Sequence, residues 1–129
     1  MDIAFTDREL DMMGVLWERG PSTVAEVREA LNEDLAYTSV LTILRILEEK
    51  GYIGHSREGR AHRYHSLVER EAASRSALKR LTGRMFEGSP HLLATQLVSD
   101  RDLSRKDLKR LRRLLEKRLR DEKKREQER

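Results

Sequence analysis

From Asp7 to Lys50 apolar residues return every three or four positions, and capping signals mark where each run begins. Thr6-Asp7-Arg8-Glu9 is a capping box: the Thr6 hydroxyl accepts from the Glu9 amide, and the Glu9 carboxylate accepts from the Thr6 amide. Leu10, Met13, Leu16 and Trp17 follow at helical spacing until Gly20-Pro21 stops the run. Thr23-Val24-Ala25-Glu26 repeats the signal and opens a second helix, with Val24, Val27, Ala30 and Leu31 on its inner face. Asn32 to Leu35 reads as a polar turn. A third helix is predicted from about Tyr37 to Lys50, with Tyr37, Val40, Leu41, Leu44 and Leu47 as its buried stripe. After Gly51 the pattern changes to two short strands, Tyr52 to Ser56 and Ala61 to His65, around an Arg57-Glu58-Gly59-Arg60 turn.

The second half changes character. Glu69 to Met85 carries small and apolar residues at 72, 73, 77, 78, 81 and 85, which predicts a long helix. Gly88-Ser89-Pro90 breaks it, and Ser89 with Pro90 starts a short apolar helix through Leu92, Leu93, Leu97 and Val98. Ser104 caps a last helix whose Leu108, Leu111, Leu114, Leu115 and Leu119 make a leucine seam. Residues 116–129 hold seven basic and five acidic side chains with one leucine, which reads as a frayed, solvated end. The expected fold is mainly α with a small β wing. A winged helix-turn-helix DNA-binding domain would occupy 1–67, and a helical dimerisation region 68–129.

Composition narrows this further. Among 129 residues, 39% are charged and only 5% aromatic, so a large self-contained core is not expected. The leucine seam at Leu108, Leu111, Leu115 and Leu119 is therefore expected to close on a second copy, giving a homodimer. The absence of cysteine removes disulfides, thiolate metal sites and cysteine nucleophiles. No apolar run approaches the length of a membrane span, and Met1-Asp2 opens acidic, so a cytoplasmic protein without membrane insertion is expected. The net charge of +4 is uneven: residues 1–66 have 8 basic and 12 acidic side chains, and 67–129 have 19 and 11. Local placement matters more than the sum. Arg57, Arg60 and Arg63 cluster on the hairpin, while the acids of the first half crowd Asp2 to Asp34 and Glu48-Glu49.

The outer face of the third helix carries Thr38, Ser39, Thr42, Arg45 and Ile46, short side chains near its start and no carboxylate before Glu48. A helix presented to phosphate needs that composition, because acids repel it and bulk holds it off the bases. Thr38, Ser39 and Thr42 are candidates for base edges or phosphates, Arg45 for a guanine or a phosphate, and Ile46 for a thymine methyl. Tyr37 suits core or phosphate contact. Arg57, Arg60, His62 and Arg63 suit the backbone or minor groove beside that helix. His55, His62 and His65 raise a metal site in which positions 55 and 65 pair across the hairpin. No cysteine or tight carboxylate set completes it, so neither metal nor cofactor is expected. GxSxG, HExxH and phosphate-cradling glycine loops are all absent, which argues against an enzyme. The competing reading is a winged-helix protein-interaction module without DNA binding.

Several words of the chain resemble the penicillinase and methicillin-resistance repressors, the BlaI/MecI-like winged-helix regulators. They are Thr6 to Trp17 (TDRELDMMGVLW), Thr23 to Val27 (TVAEV), Ala36 to Leu44 (AYTSVLTIL), Leu47 to Gly51 (LEEKG) and Gly59 to Tyr64 (GRAHRY). The resemblance implies a homodimeric repressor on a dyad operator of double-stranded DNA, upstream of its own gene and of a membrane sensor protease. In the resistance repressors, induction cuts an Asn-Phe bond in the dimerisation region. The register puts Gln96-Leu97 there, a departure from that dipeptide. The copper-responsive branch carries a cysteine-rich C-terminus, which this chain lacks.

Overall fold

The structure, a computed structural model, describes residues 3–129; the acidic opening at Met1-Asp2 lies outside the described residues. Element order is α1 (Asp7–Arg19), β1 (Ser22–Thr23), α2 (Val24–Leu31), α3 (Tyr37–Glu49), β2 (Ile53–Glu58), β3 (Ala61–Ser66), α4 (Arg70–Met85), α5 (Pro90–Val98) and α6 (Arg105–Gln127). The fold is mainly helical with one small antiparallel sheet of order β1-β3-β2. Both predicted capping boxes form: Thr6 with Glu9, and Thr23 with Glu26. A third, Ser104 with Asp107, opens α6. Each satisfies amides that the first turn of a helix leaves without partners.

Two compact units divide the chain within α4, the first ending at Arg80 and the second running from Leu81 to Arg129. The expected division after Leu67 moves because Val68 and Ala73 are buried in the first unit's core. That core joins Met12, Met13 and Leu16 of α1, Val24 and Val27 of α2, Val40, Leu44 and Leu47 of α3, and Ile53 and Tyr64 of the sheet. Phe5 meets the Trp17 and Tyr52 rings edge-on, at centroid distances of 6.1 and 4.9 Å. The Trp17 indole N–H donates to the Val68 carbonyl at 2.8 Å, tying the chain after β3 to α1. Two stripe residues fall outside the core: Leu10 and Tyr37 are nearly half exposed, while Met12 and Val15 are buried. Helical spacing locates a stripe to within about one position, and the angle of the neighbouring helix selects which edge is covered.

Strand boundaries also move: β2 starts at Ile53 and extends to Glu58, while β3 starts at Ala61 as expected and extends to Ser66. Glu58 pairs with Ala61, so the turn is only Gly59-Arg60. Gly59 has φ +64°, as a two-residue hairpin turn with glycine in first place requires. β1 has only two residues, too short for any alternation to announce it. It pairs Ser22 with Tyr64 and Thr23 with Arg63.

In the second unit, α5 and α6 contain no buried residue, and Leu92, Leu97, Leu108, Leu114, Leu115 and Leu119 are exposed. The frayed end expected from residue 116 is instead regular helix as far as Gln127. Arg112–Glu116 and Arg118–Glu122 ion pairs at i, i+4 support it. No helix among the described residues is long and apolar enough to cross a membrane.

Candidate nucleic-acid interface

The outer face of α3 is open. Thr38, Ser39, Thr42, Arg45 and Ile46 are all exposed, and Tyr37 joins them rather than the core. Val40, Leu44 and Leu47 point the other way and are completely buried, which fixes the rotation of the helix about its axis. Ala36 sits at the N-cap and offers no side-chain acceptor, and no acid lies in the first turn. The leading amides of α3 and its positive dipole end therefore face outward without a carboxylate among them. The Thr42 hydroxyl donates to the Thr38 carbonyl at 2.8 Å, which leaves its oxygen free to accept.

The hairpin has two faces, and register sorts its side chains between them. Arg57 lies opposite His62 and His55 opposite Tyr64, so Arg57, His55 and His62 share the face that carries buried Tyr64. The His55 and His62 rings stack at 4.2 Å, 10° from parallel, and His55 Nδ1 meets a Glu48 carboxylate oxygen of α3. Histidines 55 and 65 therefore do not pair: His65 lies opposite Gly54, on the other face. Among the described residues no His/Cys/Asp/Glu cluster could hold a metal ion.

Arg63 occupies that other face and is fully engaged. Its guanidinium donates to Glu58 at 2.5 Å, lies 3.0 Å from Glu26 and donates to the Pro21 carbonyl at 3.0 Å. The hydrogen bond to Glu58, then that to Glu26, raises the Arg63 pKa above its ordinary value, and Arg63 in turn holds the Glu26 carboxyl below its usual range. Arg63 thus braces the wing against the start of α2. Arg57, Arg60 and Arg45 have no carboxylate within ion-pair distance among the described residues. The wing consequently offers two free guanidinium groups, not three. Sequence could not separate Arg63 from its neighbours, because its partners are 5 and 37 positions away.

The sequence profile of the penicillinase repressor family matches residues 5–117. The chain belongs to the penicillinase repressor family. Within this family, the chain is similar to the transcriptional regulator BlaI of Mycobacterium tuberculosis, 48% identical over 61 residues, 45% of this chain and 44% of that protein. The chain thus spans under half the length of that relative. It is also similar to the methicillin resistance regulatory protein MecI of Staphylococcus aureus, 23% identical over 111 residues, 84% of this chain and 90% of that protein. A solved MarR family protein from Bacillus stearothermophilus shares the fold, with TM-score 0.54 and 19% identity over 94% of this chain and 77% of that one. The relatives are named as regulators rather than enzymes.

Two further sets of candidate residues lie in the second unit. Gln96 and Leu97, the expected cleavage dipeptide, sit in the last turn of α5, and both are exposed. Along α6, Leu108, Leu115 and Leu119 are exposed and Leu111 is half-buried.

Proposed function

We propose that this penicillinase repressor family member is a homodimeric transcriptional repressor whose winged helix holds a palindromic DNA operator. The observation that carries the reading is the exposed outer face of α3, free of acids from Tyr37 to Leu47 and flanked by Arg57 and Arg60 of the wing, which make no ion pair among the described residues. In this reading Thr38, Ser39, Thr42, Arg45 and Ile46 enter the major groove, and Tyr37 meets the backbone at its edge. Arg57, Arg60 and His62 contact the backbone or minor groove, and Arg63 positions the wing instead of touching DNA. Repression follows from occupying the promoter and needs no chemistry.

The dimer is proposed from the exposed leucines at 108, 115 and 119, which continue a seam through Leu111. Two winged helices about 34–36 Å apart would read half-sites one helical turn apart. Release by a membrane sensor protease would act at Gln96-Leu97; because that bond is helical, α5 must open locally before cleavage.

The test is fluorescence anisotropy of the protein on DNA from upstream of its own gene, beside a scrambled duplex, at two salt concentrations. The expected preference is about 10³ or more, with affinity falling steeply as salt rises. Equal weak binding to both duplexes would favour the protein-interaction module.

A further inference from the structure

Because α6 stays helical to Gln127, its basic residues are sorted into rows. At about 100° per residue, Lys106, Arg110, Arg113, Lys117, Arg120 and Lys124 fall within roughly 40° of a single line. The line is about 27 Å long at about 1.5 Å of rise per residue. All six side chains are exposed, and none has an acid within ion-pair distance among the described residues. Three of the five acids of the helix are engaged elsewhere: Asp107 caps the N-terminus with Ser104, Glu116 pairs with Arg112, and Glu122 with Arg118 and Arg125. Asp121 and Glu126 make no ion pair among the described residues, and by the same rotation Asp121 falls about 60° off the line. Leu108, Leu111, Leu115 and Leu119 lie on the opposite side by the same rotation.

Five successive like-charge neighbours at i, i+3 or i, i+4 destabilise an isolated helix, each by a few tenths of a kcal/mol (about 0.2–0.5). Such a row gains only from a counterpart that is itself an extended anion. Double-stranded DNA presents about one negative charge per 1.7 Å of axis, a charge density suited to a straight row of long cationic side chains. The absence of aromatics from α6 speaks against a single strand, which is held by base stacking on aromatic rings. A helix lying in a membrane surface would instead need its opposite leucine side buried in lipid, the side the proposed dimer seam covers.

We propose that this row is a second double-stranded DNA surface, binding phosphates without reading bases. The proposal rests on the repressor reading for its setting, although the row shares no residue with α3 or the wing. It would hold the protein on any duplex and add to operator affinity without adding to sequence preference.

The experiment uses the full chain and a scrambled duplex. A variant with Arg110, Arg113 and Lys117 each changed to Gln is compared with a charge-matched control carrying Arg105→Gln, Lys109→Gln and Lys123→Gln. The stripe variant should lose about tenfold or more in affinity and flatten the salt slope by about three units, with the control close to wild type. Equal losses in both, or in neither, overturn the proposal. Acetylation of the unmutated protein provides a readout independent of folding. Duplex should protect Lys106, Lys117 and Lys124 more than Lys109 and Lys123; uniform protection counts against the row. Row-dependent binding to phosphatidylserine vesicles, with the DNA affinity of the stripe variant unchanged, would reassign the surface to lipid. Failure of the repressor reading has its own signature: wild type would not prefer upstream DNA, whatever the row does.

Discussion

At the scale of single residues, exposure and pairing separate side chains that composition treats alike. Among the described residues Arg60 has no acidic partner; it stands in the turn of the wing, whereas Arg63 is held by two carboxylates and a carbonyl. Arg60→Ala should weaken binding to every duplex alike and flatten the salt slope by about one unit, measured by anisotropy across a salt series. A loss of sequence preference at unchanged affinity would contradict a backbone role. Arg45→Ala should do the reverse, costing about 1–3 kcal/mol of discrimination between operator and scrambled DNA. Glu9 governs a different property. Burial alone would push its carboxyl up, but hydrogen bonds from Lys50 and from the Thr6 cap hold it below the usual range. Its stabilising contribution is therefore full above the unfolded value of about 4.3 and is lost as pH falls through the lower folded value. Lys50→Met should make stability to urea less dependent on pH in that acid window. An unchanged acid dependence would show that Lys50 is not the partner that matters.

Among the elements, the wing depends most on local backbone conformation. Its turn has only two residues, and Gly59 sits at φ +64° with nothing within 4 Å of where a Cβ would stand. Space is therefore no obstacle to a side chain, but the left-handed conformation is. Gly59→Ala should cost roughly 1–2 kcal/mol, and Gly59→Asn less, since Asn tolerates that region. Amide exchange along β2 and β3 would check the order; an Ala variant as protected as wild type would mean the turn adopts another conformation. Helix α3 shows how far pattern reading reaches. Val40, Leu44 and Leu47 were legible as its inner stripe, and all three are completely buried. Tyr37 was not, because at the first position of a helix the same spacing continues past the edge of the core.

The whole molecule combines a winged unit that has its own core with a helical unit in which α5 and α6 bury nothing. Glutamate at Leu111 and Leu115 should yield monomers with weak operator binding, read by sedimentation. A variant that still sediments as a dimer would place the seam inside one chain. The helices, their caps, the hairpin and the outer face of α3 were legible from the amino acids alone, because each rests on contacts a few residues apart or on a simple periodicity. Tertiary structure decided what depends on distant partners. It drew Arg63 to Glu26, stacked His55 on His62 instead of pairing it with His65, and extended the first unit's core through Val68 and Ala73. For these three the physical reason is common: charge and burial act through space, and only the folded chain sets which residues are neighbours. The regular end of α6 has a local cause instead, ion pairs one turn apart, and it gathers lysines and arginines into one row.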